Sequence, residues 1–283
     1  KEFIFTGISF RLVMYVKSLL RSVCKSMSRI VYLKLTLRFN RTELNGDVTR
    51  VLRMNNAKEC IIQERINRFT VKIILDGNVQ RAYINNTGRL LDFIVEGRKG
   101  FCVEHERKAK TDCRLFAVKE KNLAAIIDTQ LQMKALEKII MLSLTRWSRR
   151  CRILRRNPRL GSSILDYLLE CSGEKIYLEV KSAVLRNGKY AVYPDCPSLR
   201  GRRHISEITD HVKNGGRGMI LFIAALPNVE AFKPNSSVDP EITRLLMEAR
   251  EAGVEIRAIE LYYDPRDFFI YLSKPDLPVE LFS

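Results

Sequence analysis

Two stretches of the sequence decide the fold of its C-terminal half: Ser-Ile-Leu-Asp-Tyr-Leu-Leu-Glu at positions 163–170 and Lys-Ile-Tyr-Leu-Glu-Val-Lys-Ser at positions 175–182. Both are rich in apolar, β-prone residues, and a short segment containing Gly173 joins them. Two such runs around a glycine-bearing loop predict a β-hairpin. Because side chains alternate between the two faces of a strand, we expect Glu179 and Lys181 on one face and Val180 on the other.

The charged residues of this hairpin indicate a site for a divalent cation. A carboxylate and an ammonium that are buried together need partners, and hard cations accept carboxylate oxygens as ligands. Asp166 and Glu179 are therefore candidate metal ligands, with Lys181 beside them. The alternative is a solvated strand face on which Glu179 and Lys181 form a simple ion pair, since such triplets are common in charged proteins.

The composition favours a polyanionic partner. The chain has 283 residues, with 49 Lys and Arg against 32 Asp and Glu, and a formal net charge of +17. A positive field of this size attracts nucleic acid. DNA is the expected partner, RNA is not distinguished from it, and a generally basic composition without a nucleic-acid role is the alternative.

Residues 1–56 are expected to form a basic N-terminal extension, because they hold 11 basic and only 3 acidic residues. The apolar run over residues 3–20 is interrupted by Arg11 and Lys17. A membrane span needs about 20 apolar residues without such breaks, so no span is predicted. Attachment of this basic start to a membrane surface ranks last among the alternatives.

The cysteines predict reduced thiols. The seven are scattered along the chain and include no Cys-x-x-Cys pair, so neither a zinc site nor a disulfide framework is expected. This usage favours a cytoplasmic location.

Short strands punctuated by turns predict an OB-like barrel over residues 57–125. Strands are expected at residues 69–75, 79–84, 90–95, 100–103 and 114–118. OB barrels bind nucleic-acid strands in basic grooves with stacking rings, so single-stranded DNA is a candidate ligand here. The groove candidates are Arg65, Arg68, Phe69, Lys72, Arg81, Tyr83, Arg89 and Lys110, although Phe69 and Tyr83 are each more readily explained as core residues.

Residues 126–283 predict an α/β domain around the hairpin. Helices are expected at residues 131–147, 200–212 and 240–251, and strands at residues 219–226 and 254–259, the latter being the last. A basic tract at residues 146–156 and the basic start of the second helix are expected to contact phosphates, although a solvated helix end is the alternative for the tract. The candidates are Arg149, Arg150, Arg152, Arg200, Arg202 and Arg203.

A rival metal site lies on the second predicted helix. His204, Glu207 and His211 share one of its faces. A polar helix face explains this spacing better, because the chain has only three histidines.

Several motifs in one order resemble the SfsA family, named for sugar fermentation stimulation. The resemblance runs from about residue 62 to residue 259, and it includes Asn-Thr-Gly-Arg-Leu at 86–90, Tyr-Leu-Glu-Val-Lys-Ser at 177–182 and the segment 193–208. It implies an α+β/α/β architecture in which an OB-like β-barrel precedes an α/β domain of the PD-(D/E)xK nuclease class. It also implies DNA binding.

The resemblance further implies a catalytic set. In the PD-(D/E)xK class, a helix-borne acid, an acid at a strand end and an acid-x-Lys on the next strand surround Mg²⁺, for which Mn²⁺ can substitute. The matching residues are Glu137, Asp166, Glu179 and Lys181, and of these Asp166 and Glu179 would hold the metal. The cation would activate water and polarise the phosphoryl group, while Lys181 would orient the water.

Two functions follow from these residues. The first is a Mg²⁺-dependent phosphodiesterase that acts on DNA, that is, a deoxyribonuclease. The second is a non-catalytic DNA-binding regulator of sugar catabolism that keeps the nuclease fold. The retained acid-x-Lys favours the first, and departures from the family pattern at Asn157, Ile164 and Ala225 favour the second.

Overall fold

Five strands close into a small barrel, which confirms the predicted OB-like fold. The computed structural model describes residues 48–105 and 110–281. The barrel strands run in the order β4-β3-β2-β5-β6, and β4 then pairs in parallel with β6. Ile62, Ile73 and Phe116 are fully buried inside it. The strands are β2 (Lys58–Asn67), β3 (Thr70–Leu75), β4 (Asn78–Tyr83), β5 (Lys99–Glu104) and β6 (Cys113–Glu120).

The strand predicted at residues 90–95 is wrong. This segment forms a turn in which the amides of Phe93 and Ile94 donate to the carbonyl of Leu90, at 3.0 and 2.9 Å. Leu90 and Phe93 are both buried, so the apolar pattern reflects core residues carried by a turn. Strand β2 is part of the barrel but was not predicted, because charged residues on its outer face interrupt the apolar pattern.

The second half of the chain forms a sheet in the order β7-β17-β15-β12-β11-β8. Strands β12, β15 and β17 are parallel, and β11 and β8 join antiparallel. The bounds are β7 (Leu123–Ile126), α1 (Thr129–Leu142), β8 (Cys151–Arg156), β9 (Arg159–Leu160), β10 (Ser163–Ile164), β11 (Tyr167–Cys171), β12 (Glu174–Ala183), β13 (Leu185–Asn187), β14 (Tyr190–Tyr193), α2 (Leu199–Lys213), β15 (Gly218–Ala224), β16 (Ala231–Pro234), α3 (Pro240–Glu251), β17 (Glu255–Asp264) and β18 (Phe269–Leu277).

Helix α1 is shorter than predicted and ends at Leu142 instead of near residue 147. Ser143 adopts a left-handed conformation, with φ of 54°, and stops the helix. A turn follows in which the hydroxyl of Thr145 donates to that of Ser148, at 2.8 Å. Part of the basic tract then enters β8, where pairing with β11 overrides the helical pattern. Arg152, Arg155 and Arg156 therefore lie on a strand, and the earlier arginines of the tract lie in the turn before it.

Strand β17 is not the last strand of the domain. The chain returns as β18, antiparallel to β17, and β18 also pairs with β1 (Thr49–Arg53). Residues 49–53 of the predicted basic extension are thus part of the sheet. Residues 1–47 lie outside the described residues.

The barrel and the second sheet are joined by hydrogen-bonded strands and by a shared aromatic contact. Ala124 of β7 pairs with Tyr263 of β17. The Tyr263 ring meets Phe101 and Phe116 of the barrel edge-on, with centroid distances of 5.2 and 4.9 Å. Tyr263 is fully buried, so this contact belongs to one continuous core.

The prediction that all cysteines are reduced is wrong. Cys151 and Cys171 are joined by a disulfide. The two residues face each other across the β8–β11 pairing, which brings their Cα atoms to 4.0 Å. This register cannot be read from the spacing of cysteines along the chain.

In residues 48–105 and 110–281, every helix is too short or too polar to span a membrane.

Candidate functional site

The predicted hairpin is present and places Asp166 beside the middle of β12. Strands β11 and β12 pair antiparallel, with Tyr167 opposite Leu178. Asp166 immediately precedes β11, and its Oδ2 accepts a hydrogen bond of 2.8 Å from the amide of Val180. The carboxyl of Asp166 is therefore held next to the strand that carries Glu179 and Lys181.

Glu179 and Lys181 form a buried ion pair on one face of β12. Lys181 Nζ lies 2.6 Å from Glu179 Oε1. The two residues are only 4% and 8% exposed. This burial rules out the solvated strand face that was the alternative interpretation of the triplet.

His204 completes the cluster, although the sequence prediction did not assign it to the site. Its Nδ1 lies 2.6 Å from the same Glu179 Oε1, and the residue is 2% exposed. Gly201, His204, Ile205 and Ile208 are buried together on α2. A histidine among the buried positions of an amphipathic helix, the first helix after the acid-x-Lys strand, was the signal available in the sequence.

The pKa values of the two carboxyl groups of the site are shifted in opposite directions. Burial raises the pKa of Asp166 to about 6, and the charge of Glu179 adds to this effect. Burial also acts to raise the pKa of Glu179, but the adjacent Lys181 and His204 outweigh it and bring that pKa below its ordinary value. Glu179 is thus an anion at neutral pH. A cation that binds beside Asp166 would stabilise the ionised form of that carboxyl.

The site fits a divalent cation that binds oxygen. Glu179 Oε2 is buried and has no hydrogen-bond partner within the described residues. An unpaired buried carboxylate oxygen is costly, and a hard cation is a suitable partner for it. The part of the chain that the structure describes holds no group of three or more His, Cys, Asp and Glu arranged around a metal. Solvent or phosphate oxygens would therefore complete the coordination of a cation at Asp166 and Glu179, as is usual for Mg²⁺.

Glu137 is not brought to this cluster. Its Oε1 lies 2.7 Å from Arg156 Nε and accepts a hydrogen bond of 3.0 Å from the hydroxyl of Tyr167. Tyr167 pairs with Leu178, whose side chain points to the opposite face of β12 from Glu179. The hydrogen bond from Arg156 is the main reason why the pKa of Glu137 is lowered. The residue stabilises the packing of α1 on β8 and β11.

Three of the arginines predicted to bind nucleic acid are engaged within the protein. The guanidinium of Arg65 donates to the carbonyls of Gly88 and Arg89, at 2.8 and 2.6 Å. Arg152 pairs with Glu170 at 2.9 Å, and Arg202 pairs with the buried Asp239 at 2.9 Å. Arg65 and Arg202 therefore organise loops and helix ends.

Lys72 and Tyr83 of the predicted groove are half-buried, the other predicted contact residues are exposed, and two of these flank the site. Arg200 and Arg203 lie in the first turns of α2, where Arg200 Nε approaches His204 Nε2 at 3.4 Å and Arg203 Nε approaches Ser163 Oγ at 3.4 Å. Basic side chains here can contact phosphate beside the carboxylates. The other exposed candidates are Arg68, Phe69, Arg81, Arg89, Lys110, Arg149 and Arg150.

The rival metal site on α2 is not assembled. The ring of His211 packs edge-on against Tyr177 at a centroid distance of 5.0 Å. Glu207 accepts hydrogen bonds from the amides of Ser162 and Ser163, at 3.1 and 3.0 Å. Glu207 thereby fixes the β9–β10 hairpin, which leads directly into Asp166.

Comparisons with known proteins agree with this architecture. The family model described as the SfsA N-terminal OB domain matches residues 64–127, and the one described as the sugar fermentation stimulation protein RE domain matches residues 128–267. A sugar fermentation stimulation protein homolog of Pyrococcus furiosus is 50% identical over 222 residues, which cover 78% of this chain and 95% of the relative. The homolog of Archaeoglobus fulgidus is 43% identical over 230 residues, which cover 81% and 99%.

A solved structure supports the same relationship. It is described as the structure of Pyrococcus furiosus SfsA in complex with Ca²⁺. It matches this chain with a TM-score of 0.79 at 46% identity, over 82% of this chain and 99% of that chain.

Proposed function

Because this chain belongs to the sugar fermentation stimulation protein family, we propose that it binds DNA and hydrolyses phosphodiester bonds with a divalent cation held by Asp166 and Glu179. Mg²⁺ is the proposed physiological cation, and Mn²⁺ is expected to substitute for it. The proposed cytoplasmic location rests on the DNA partner, because the Cys151–Cys171 disulfide removes the support from reduced cysteines. The α/β half would carry the chemistry, and the barrel would carry part of the DNA.

One observation carries the proposal: Glu179 Oε2 is buried without a partner among the described residues, beside Asp166, whose pKa is raised to about 6. Folding has thus placed Asp166, whose ionisation is opposed by burial and by the charge of Glu179, beside a carboxylate that is already ionised. Such an arrangement is destabilising by itself and is typical of sites that bind a cation. The Ca²⁺ complex of the Pyrococcus furiosus relative supports the same interpretation, since Ca²⁺ also prefers oxygen ligands.

The residues around the carboxylates have separate tasks in this proposal. A bound cation would supply Lewis acidity and lower the pKa of water. The ammonium of Lys181, held by Glu179, would offset the negative charge that develops on the phosphoryl group. Arg200 and Arg203 would hold the neighbouring phosphates and so fix the position of the scissile bond.

The second candidate function is a DNA-binding protein that does not cut. The position of Glu137 favours it, because this acid is bound to Arg156 and Tyr167 and leaves two carboxylates at the site. The burial of Lys181, which is only 8% exposed, favours it as well, because a buried amine meets substrate less readily. Both candidates share the expectation of DNA binding and differ in turnover.

Lys181→Met distinguishes the two candidates, because it removes the charge while keeping most of the side-chain volume. The control is Lys175→Met on the exposed start of the same strand. Each protein is incubated with single- and double-stranded DNA in Mg²⁺, Mn²⁺ or EDTA, and products and retained DNA are measured. Cleavage that needs metal, survives in the control and is lost in Lys181→Met supports the nuclease.

The opposite result is equally clear. DNA retention by the unaltered protein without cleavage in either metal would establish the binding protein and reject the nuclease. Melting curves of the unaltered protein and both variants show whether the loss of an ion-pair partner has unfolded Lys181→Met, so that a folding defect is not mistaken for a loss of chemistry.

A further inference from the structure

The two oxygens of the Glu179 carboxylate differ in their hydrogen-bond partners. Oε1 takes hydrogen bonds from both Lys181 Nζ and His204 Nδ1, each at 2.6 Å. Oε2 is buried and has no partner among the described residues. We propose that His204 is a positioning residue, which fixes the Glu179 carboxylate so that Oε2 is left free for the divalent cation. This inference rests on the proposed function.

Lys181 alone would fix the carboxylate poorly. A lysine amine sits at the end of a flexible four-carbon stem, so it can follow either oxygen as the carboxylate rotates. The imidazole of His204 is planar and comes from α2, a different element from the β12 strand that carries Glu179. Two donors from two elements that meet at one oxygen define the plane of the carboxylate.

The ring of His204 is itself held at both nitrogens. The Glu179 carboxylate can only accept hydrogen bonds, so His204 Nδ1 donates to it. Arg200 Nε then approaches His204 Nε2 as a donor at 3.4 Å. A histidine that donates to a ligating carboxylate and is held on its other side is a familiar support for a metal ligand.

Helix α2 is fixed where it presents His204. Ser198 caps the helix by accepting from the amide of Gly201 at 2.9 Å, and the amide of Ser198 donates to the buried Asp239 at 3.1 Å. One turn after His204, Glu207 accepts hydrogen bonds from the β9–β10 hairpin. The imidazole is therefore delivered by a helix that is anchored on both sides of it.

A near-isosteric pair of variants tests this role. His204→Asn keeps an amide donor close to the place of Nδ1, whereas His204→Leu has almost the same shape and no donor. The control is His211→Leu, which alters the same helix at the edge-on contact with Tyr177. Binding of Ca²⁺ and Mn²⁺ to the full chain is measured by calorimetry without DNA, and folding is checked by melting curves.

Loss of a residue that supports a metal ligand lowers metal affinity by about 10- to 100-fold. We expect His204→Leu to lose at least about tenfold in Ca²⁺ affinity, and His204→Asn and His211→Leu to stay within about threefold of the unaltered protein. Equal affinities of His204→Leu and the unaltered protein would overturn the inference and leave the proposed metal site standing. Equal losses in the Leu and Asn variants would overturn the donor role.

Failure of the proposed function gives a different result. If the unaltered protein binds neither Ca²⁺ nor Mn²⁺, the metal site is rejected and the inference falls with it. Should His204→Leu fail to fold, the Asn variant decides: an affinity loss beyond about threefold in folded His204→Asn contradicts a role that needs only a donor.

Discussion

Asp166 gives the sharpest test of the electrostatics of the site, in protein from which metal has been removed. Burial, with the charge of Glu179 as the second cause, raises its pKa from an ordinary value of 3.8 to about 6. A difference of this size corresponds to a penalty of about 3 kcal/mol at most for holding the ionised carboxyl in the folded protein. Asp166→Asn removes that penalty and keeps an oxygen that can accept from Val180.

The expected result is a more stable protein that has lost one of its two proposed metal ligands. In EDTA at about pH 8, Asp166→Asn should raise the free energy of unfolding by up to about 3 kcal/mol. For a domain of this size, that corresponds to a melting temperature higher by several degrees, roughly 2–4 °C for each kcal/mol. Thermal and urea unfolding measure the change directly, and calorimetry measures the loss of Ca²⁺ binding.

The effect of Asp166→Asn on the free energy of unfolding should depend on pH in a defined direction. The folded protein binds the Asp166 proton more tightly than the unfolded chain does, so the penalty is absent below pH 3.8, grows as the pH rises to about 6, and is constant above. The gain from Asp166→Asn should therefore be small near pH 4 and full near pH 8. A loss of stability near pH 8, or an equal change at both pH values, would refute the reasoning from burial.

Glu179 supplies a control of opposite sign. Its pKa is lowered, so its ionised form stabilises the fold above its ordinary pKa of 4.5, and this contribution is lost as the pH falls through the lowered value. Glu179→Gln should therefore destabilise the metal-free protein near pH 8, where Asp166→Asn stabilises it. Changes of the same sign in both variants would contradict pKa shifts of opposite direction for Asp166 and Glu179.

Three further predictions concern stability and DNA binding. Reduction of the disulfide, or the Cys151→Ser/Cys171→Ser variant, should lower the free energy of unfolding by about 3 kcal/mol, because the bond closes a loop with a sequence separation of 20; urea unfolding with and without reductant measures this, and no change would contradict it. Asp239→Ala should cost about 3 kcal/mol in the same assay, because this buried carboxylate serves the start of both α2 and α3 and pairs with a guanidinium. Affinity for duplex DNA should fall with salt at a logarithmic slope of about −0.9 for each phosphate contacted, and Arg200→Ala/Arg203→Ala should reduce that slope by about 1.8, whereas an unchanged slope would remove these residues from the interface.

Local patterns were sufficient for the elements that form the site. The β11–β12 hairpin depends on alternation and a glycine-bearing turn, both of which are visible in a few consecutive residues. Helix α3 begins at Pro240 and ends at Glu251 as predicted, because Asp239 caps it and an apolar face runs through it. Asp166, Glu179 and Lys181 are close together because the hairpin alone is enough to bring them there.

Contacts between distant segments could not be predicted from such local patterns. The position of Glu137 depends on which face of the sheet α1 covers, and that is set by packing against β8 and β11. The partner of Cys151 depends on strand register, which a shift by one residue would change. His204 reaches Glu179 only because α2 packs on β15, the neighbour of β12, although its buried position on the helix could be inferred from the sequence.

The contact of Tyr263 with Phe101 and Phe116 has a practical consequence for how this protein can be divided. The family models separate an OB half from an α/β half, but the ring of Tyr263 in the α/β half packs against Phe101 and Phe116 of the OB half. Expression of either half alone would uncover these rings and an unpaired strand edge, so each fragment is expected to aggregate. The two halves should melt together in a single transition, and studies of DNA binding by the barrel are best made by substitution within the intact chain.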